Sequence, residues 1–200
     1  MRVQNKQMQD RMNNITKLST IVLGTSLLAN GALASSLEAD IHADAIKAKY
    51  NFSSDRASMG VSVAALITDD NGEAFSLDIR SQGLLNKTQD ANIRGGFGVR
   101  GYHVAPEPAD DSFQALALGG FVDVAIPSIP DITFGVDLYY APSIMVTDDL
   151  DSLYELNLRV SYQLFENAKV YAGLRDFEAS VGDYDFDIDD NLHVGFKLDF

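Results

Sequence analysis

The sequence predicts an all-β protein: a closed antiparallel up-and-down transmembrane β-barrel of about ten strands, with eight as the alternative count, over residues 35–200. Three observations lead there. Beyond residue 34 the chain is a succession of alternating apolar and polar segments broken by turn residues. Tyr and Phe gather toward the segment ends, and the connections between segments alternate in length and charge.

Residues 1–34 differ in kind. Arg2, Lys6, Arg11 and Lys17 precede the apolar run LSTIVLGTSLLANGALA, and Ala32-Leu33-Ala34 supplies the small-x-small site of a signal peptidase. The run is short for a membrane helix of roughly 20 residues and holds Asn30 with several Ser and Thr, so a cleaved signal is expected, with Ser35 as the mature start. Cleavage removes four of the 15 basic residues and one of the 29 acidic ones, which takes the formal charge from −14 to −17. Such an acidic chain offers no basic stripe to a nucleic acid. With no Cys there is no disulfide framework, Cys-based zinc site or lipidated N-terminal Cys.

The segments follow in order. LEADIHA opens the mature region, and AIKAKYNF sets Ile46, Ala48, Tyr50 and Phe52 against Lys47, Lys49 and Asn51. MGVSVAALI precedes AFSLDIRS, in which Phe75, Leu77 and Ile79 oppose Ser76, Asp78 and Arg80. ANIRGGFGVRGY and FQALALGGFVDVAI are interrupted by glycines, as a strongly curved sheet requires. DITFGVDLYY alternates Ile132, Phe134, Val136, Leu138 and Tyr140 with Thr133, Gly135, Asp137 and Tyr139. LYELNLRVSYQLF is the clearest, with Tyr154, Leu156, Leu158, Val160, Tyr162 and Leu164 on one face and Glu155, Asn157, Arg159, Ser161 and Gln163 on the other. KVYAGLRDFEA and the terminal NLHVGFKLDF complete ten; an even count returns both termini to one side.

Alternation does not say which face is outside. A lipocalin-like soluble barrel turns its apolar face inward, and a membrane barrel turns it to lipid. The aromatic residues Tyr50, Phe52, Tyr139, Tyr140, Tyr154, Tyr162 and Phe200 suit interfacial girdles. The odd connections TDDNGE, HVAPEPADD, APSIMVTDDLDS and VGDYDFDIDDN are long and acidic, the first connection, a tight turn around Asp44, being the exception, whereas SSDR, GLLNKTQD, PSIPD and ENAK are mostly shorter and mixed in charge. That parity matches the outer loops and periplasmic turns of a Gram-negative outer-membrane barrel, exported through the periplasm and set among lipid and lipopolysaccharide.

On this orientation the lumen holds Asp78, Arg80, Arg94, Arg100, Asp137, Glu155, Arg159, Arg175 and Lys197, together with Lys47, Lys49 and Asp199. Both signs occur, so they can pair into a polar core or line a narrow hydrated path. At about ten strands the interior is only slightly wider than the eight-strand case that side chains fill, which favours the core. Asp183, Asp185, Asp187 and Asp189 alternate and, if extended, would share one edge that a divalent cation could use. The stretch lacks the sixth-position Gly and closing Glu of a calcium loop and reads first as a solvated loop, so no metal or other cofactor is expected. Asn71-Gly72 reads as a type I′ hairpin turn. His42, His103 and His193 have no evident nucleophile beside them, and the chain is not expected to be an enzyme.

The final strand places Phe196, Leu198 and Phe200 on one face. It resembles the C-terminal signature of bacterial outer-membrane barrels, which implies recognition by the barrel-assembly machinery. Over YYAPS, YELNLRVSYQLFENAKVYAGLR and HVGFKLDF the chain resembles the YfaZ-like outer-membrane proteins, and the likeness is faint before about Gly95. The resemblance implies fold and location and carries no mechanism. The function expected is a small barrel of structural or surface-interaction type, with a narrow porin-like diffusion channel as the alternative.

Overall fold

A computed structural model describes residues 35–53, 57–107, 112–147, 150–182 and 184–200. Residues 1–34, with the expected cleavage site, lie outside the described residues, as does Asp183. The described chain forms ten strands: β1 (Ser36–Ile41), β2 (Ala45–Asn51), β3 (Met59–Thr68), β4 (Glu73–Lys87), β5 (Asn92–Ala105), β6 (Phe113–Ala125), β7 (Ile132–Pro142), β8 (Ser152–Phe165), β9 (Ala168–Val181) and β10 (Tyr184–Asp199). Each strand pairs antiparallel with the next, and β1 closes the sheet on β10 through Ser36↔Asp199 to Ile41↔Val194. Closure leaves no edge along the shared length.

The period-2 pattern sorts the side chains as the sheet requires. On β7 and β8 the cross-strand pairs Val136↔Leu158, Leu138↔Leu156 and Tyr140↔Tyr154 face outward, while Gly135↔Arg159, Asp137↔Asn157 and Tyr139↔Glu155 face inward. The outer wall carries a continuous set of half-exposed or exposed apolar side chains, among them Leu77, Phe97, Leu118, Val136, Leu158, Val160, Leu174, Val194 and Phe196. A soluble monomer rarely exposes a contiguous apolar patch beyond a few hundred Å². Such a belt around the sheet is the lipid face of a membrane barrel, in which all backbone groups are paired within the sheet.

The start of β1, the end of β10 and the even connections lie at one end of the barrel, called here the terminal end; the odd connections lie at the other. Two segments read as connections continue as strand. GLLNK extends β4, with a register shift between Leu84 and Asn86. YDFDIDDN begins β10, because Phe186 pairs with Ala179 and directs its ring, like Ile188, into the barrel. β3 ends at Thr68 and β4 begins at Glu73, so the connection at Asn71-Gly72 spans four residues, 69–72, and is wider than the two-residue I′ turn expected. Gly72 takes φ +94°, and a Cβ there would lie 2.1 Å from the Ala105 carbonyl oxygen.

Because β1 ends at Ile41, the upper part of β10 has no strand on that side. His42 and Asn71 cover it: His42 Nε2 lies 2.7 Å from Asp189 Oδ1, and Asn71 Nδ2 donates to the Ile188 carbonyl at 3.3 Å. The bulge between Asp187 and Asp189 also bends that edge.

Candidate functional site in the barrel interior

The interior has three layers. The uppermost, near the odd connections, is apolar. Leu66, Val104, Ala115, Ala117, Tyr139, Ala141, Leu153, Phe177, Ala179 and Ile188 form one buried cluster, capped by Leu150 with Met145 and Val146 from the β7–β8 connection. Thr147 fixes that cap by donating its backbone N–H to the Gln114 carbonyl at 2.9 Å. Val104, Tyr139, Ala141 and Leu153 are 0% exposed, out of contact with water. The polar lumen expected from the sequence therefore stops short of this end. Tyr139, expected in an interfacial girdle, is an inward residue: its ring lies 3.7 Å beneath the Arg100 guanidinium.

The second layer is ionic. Arg100 reaches Asp78 (Nε to Oδ2, 3.1 Å), Asp137 (Nη2 to Oδ1, 3.1 Å) and Glu155 (Nη1 to Oε2, 2.7 Å). Lys47 Nζ meets the other oxygen of Glu155 at 2.6 Å, and the Tyr102 hydroxyl donates to Oε2 at 2.7 Å. Beside this set the Arg175 guanidinium, fully buried, forks onto Asp40 and Asp189, each at 2.6 Å. Two carboxylates on one guanidinium satisfy a charge that would otherwise be costly at this depth.

The third layer opens toward the terminal end. Its cavity of about 260 Å³ is lined by Lys49, Arg80, Arg94, Arg159, Lys169 and Lys197 among others. Arg159 contacts Glu38 at 3.3 Å and Asp123 at 3.8 Å, and Lys197 lies 3.5 Å from Asp199. Arg80 stands over the Phe121 ring at 4.6 Å and near Asp78 and Asp137, at 3.8 and 3.9 Å.

Large side chains lie flat in these layers because the facing residue is glycine. Gly135 faces Arg159, Gly96 faces Phe121, and Gly195 faces Tyr171; a Cβ at Gly195 would meet the Tyr171 ring at 2.5 Å. Interrupting glycines were legible in the sequence, but their partners follow from register.

All nine lumen candidates from the sequence point inward, but they occupy two layers. Asp78, Arg100, Asp137, Glu155 and Arg175 belong to the ionic layer; Arg94, Arg159 and Lys197 line the open cavity, and Arg80 spans the two. The apolar layer and the part of Asp40 and Asp189 were missed. Inward register of Ala115, Ala117, Ala141 and Leu153 was the signal available for the first. The Asp series separates at the β10 bulge: Asp185 and Asp187 are exposed, whereas Asp189 is 2% exposed and engaged by Arg175 and His42. Asp185 and Asp187 therefore share no edge with Asp189, Asp183 lies outside the described residues, and among the described residues no three carboxylate or imidazole groups gather as a metal site. His193 is buried beside Tyr171, with a ring separation of 6.1 Å. Phe196 and Leu198 lie on the outward register of β10; Phe200 follows the strand, its N–H bonded to the Ser35 carbonyl at 2.8 Å.

Among solved structures the chain is similar to the KdgM porin, with 15% identity and a TM-score of 0.41 over 84% of this chain and 99% of that one. It is also similar to the translocator domain of the autotransporter NalP from Neisseria meningitidis, with 10% identity and a TM-score of 0.31 over 94% and 96% of the two chains. No curated protein sequence matches. The profile described as "YfaZ precursor" matches residues 13–200, and the chain belongs to the YfaZ family.

Proposed function

We propose that this protein is a closed outer-membrane β-barrel of a Gram-negative envelope, of structural or surface-interaction type, that displays its acidic odd connections outside the cell. The observation that carries the reading is the buried apolar layer, which caps the lumen with side chains that water does not reach. A diffusion channel needs a wetted path, and a layer of Leu, Val, Phe and Ile between two hydrophilic ends opposes ion passage. The belt of apolar residues sets the barrel in lipid, and the acidic connections stand among lipopolysaccharide head groups. During insertion the outward Phe196 and Leu198, with Phe200, are what the barrel-assembly machinery would read.

Planar-bilayer recording tests this. The refolded mature chain is expected to give no conductance steps above the lipid baseline. Reproducible steps would sink the closed-barrel reading and return the protein to the narrow porin-like class.

A further inference from the structure

One stretch of the barrel wall has an open strand edge. The N–H of Phe200 bonds the Ser35 carbonyl at 2.8 Å, and the N–H of Asp199 bonds the Asn167 carbonyl at 2.9 Å. Even-numbered residues in the regular part of β10 therefore turn their N–H and C=O toward β1, and odd-numbered ones turn theirs toward β9. The last pair with β1 is Ile41↔Val194, after which the chain turns back at His42, whose N–H bonds the Ala45 carbonyl. Leu192 and Asp190 still direct two N–H and two C=O groups to that side. Among the described residues nothing bonds these groups, because Asn71 takes the Ile188 carbonyl and His42 the Asp189 side chain. Leu192 is 75% exposed, and Asp190 and Asn191 are exposed beside it. Unbonded backbone groups on a strand edge are a template for one more strand.

Charge selects which strand. On the outward side of this edge Asp190 stands opposite Asp176, Asp187 opposite Glu178 and Asp185 opposite Ser180. Like charges directly opposite each other destabilise a sheet. Asp176 accepts a hydrogen bond from the Tyr154 hydroxyl, but among the described residues no cation stands within ion-pair distance of any of these five carboxylates. The four long odd connections bring none to them, since their sequences hold no Lys or Arg. We propose that the edge of β10 at Asp190 and Leu192 is a docking site for an extended cationic segment of another polypeptide, which adds as a strand beside β10. Backbone pairing with Leu192 and Asp190 sets the register, and Lys or Arg at alternate positions meets Asp190 and Asp187. An apolar residue on the same face of the segment covers Leu192. A second copy of the barrel would bring the same carboxylates to the seam and be repelled. Asn71 and the bulge at Asp187/Asp189 stop the added strand, so it is short and its affinity leans on charge. That the segment arrives from outside the cell rests on the surface-interaction reading above; the pairing itself does not.

Fluorescence anisotropy of the refolded, heat-modifiable mature chain in non-ionic detergent tests the proposal. The probe is a labelled peptide of about eight residues alternating Lys and Val, with a Thr-Val peptide and a fully N-methylated Lys-Val peptide as controls. The Lys-Val peptide is expected to bind saturably at one per barrel and to weaken as salt rises from ~20 to ~200 mM. The Thr-Val control keeps the pairing groups without the charge, and the N-methylated control keeps the charge without the N–H donors. Each should bind at least several-fold more weakly. Asp187→Asn with Asp190→Asn should weaken Lys-Val binding by about tenfold. Leu192→Pro removes an N–H that no strand of the barrel uses and should weaken it several-fold. If Leu192→Pro gives no heat-modifiable barrel, the N-methylated peptide reads the same pairing on the wild-type protein. Amide exchange followed by NMR should slow at Asp190 and Leu192 when the peptide is bound. No saturable Lys-Val binding to the folded wild-type barrel overturns the proposal. So does equal binding of the N-methylated peptide, which is adsorption by charge alone, and so does equal binding by the double Asn variant. None of these outcomes bears on conductance, so the bilayer experiment supports or rejects the closed-barrel reading by itself.

Discussion

Arg100 and Glu155 stand 2.7 Å apart, Nη1 to Oε2, although β5 and β8 are not neighbours in the sheet. The pair is a strut across the barrel. Lys47 on β2 reaches the same carboxylate at 2.6 Å, so three separated strands converge on Glu155. This convergence spans the lumen below the apolar layer and ties walls that the hydrogen-bond ladder does not join.

Removing one member of the strut should therefore cost more than removing a surface charge. Glu155→Gln leaves Lys47 and Arg100 facing a neutral amide, and Arg100→Met takes from Asp78, Asp137 and Glu155 the cation they share, leaving Lys47 for Glu155 and the more distant Arg80 for the two Asp. Each is expected to lose about 3–5 kcal/mol. Urea titration of the heat-modifiable fraction in lipid vesicles checks it. A midpoint within error of wild type for both variants would contradict a strut role.

The apolar layer can be opened by design. Tyr139→Ser with Phe177→Ser removes two rings from the cluster and puts hydroxyls in their place. If this layer is the seal, the double variant, once shown to be folded by heat-modifiability, should give conductance steps in a planar bilayer that wild type lacks. A folded double variant that remains silent would move the barrier to the ionic layer.

Leu158 separates a lipid face from a protein core. It is 39% exposed on the outer wall, in register with Val136 and Leu174. Leu158→Arg places a charge within the apolar belt and should cost roughly 2–4 kcal/mol near the bilayer midplane. Leu158→Ala opens no cavity and should be nearly neutral, whereas a buried Leu would lose about 2–5 kcal/mol. Equal damage from both substitutions, read as the loss of heat-modifiable barrel, would exclude the membrane orientation.

Two glycines give a steric contrast. A Cβ at Gly119 would fall 2.1 Å from the Leu138 carbonyl oxygen and 2.7 Å from the Tyr139 Cα, both backbone atoms, while a Cβ at Gly101 meets nothing within 4 Å. Gly119→Ala is expected to cost about 1–3 kcal/mol through forced backbone shifts, and Gly101→Ala to change little. Comparison of the two urea midpoints decides it; identical midpoints would mean that β6 and β7 separate at this point without penalty.

The fold was legible in the sequence because its information is local. A period of two along LYELNLRVSYQLF sets which side chains share a face, and the parity of the connections sets the ends, so an inward Arg159 and Arg175 follow without knowing which strands touch, while the choice of ten strands over eight came from the structure. Strand limits at β4 and β10 were less legible, since GLLNK and YDFDIDDN have turn-like composition and remain extended only because β5 and β9 pair with them. What tertiary structure alone decided is height. Strand stagger places Leu66, Val104, Leu153 and Phe177 at one level and Lys49, Arg94 and Lys169 at another, and alternation carries no information about stagger between strands that are remote in sequence. The bulge at Asp187/Asp189 shows the same limit. One extra residue turned Asp189 from the water face to Arg175, because a shift of one residue in a period-2 pattern reverses the face of the side chains that follow.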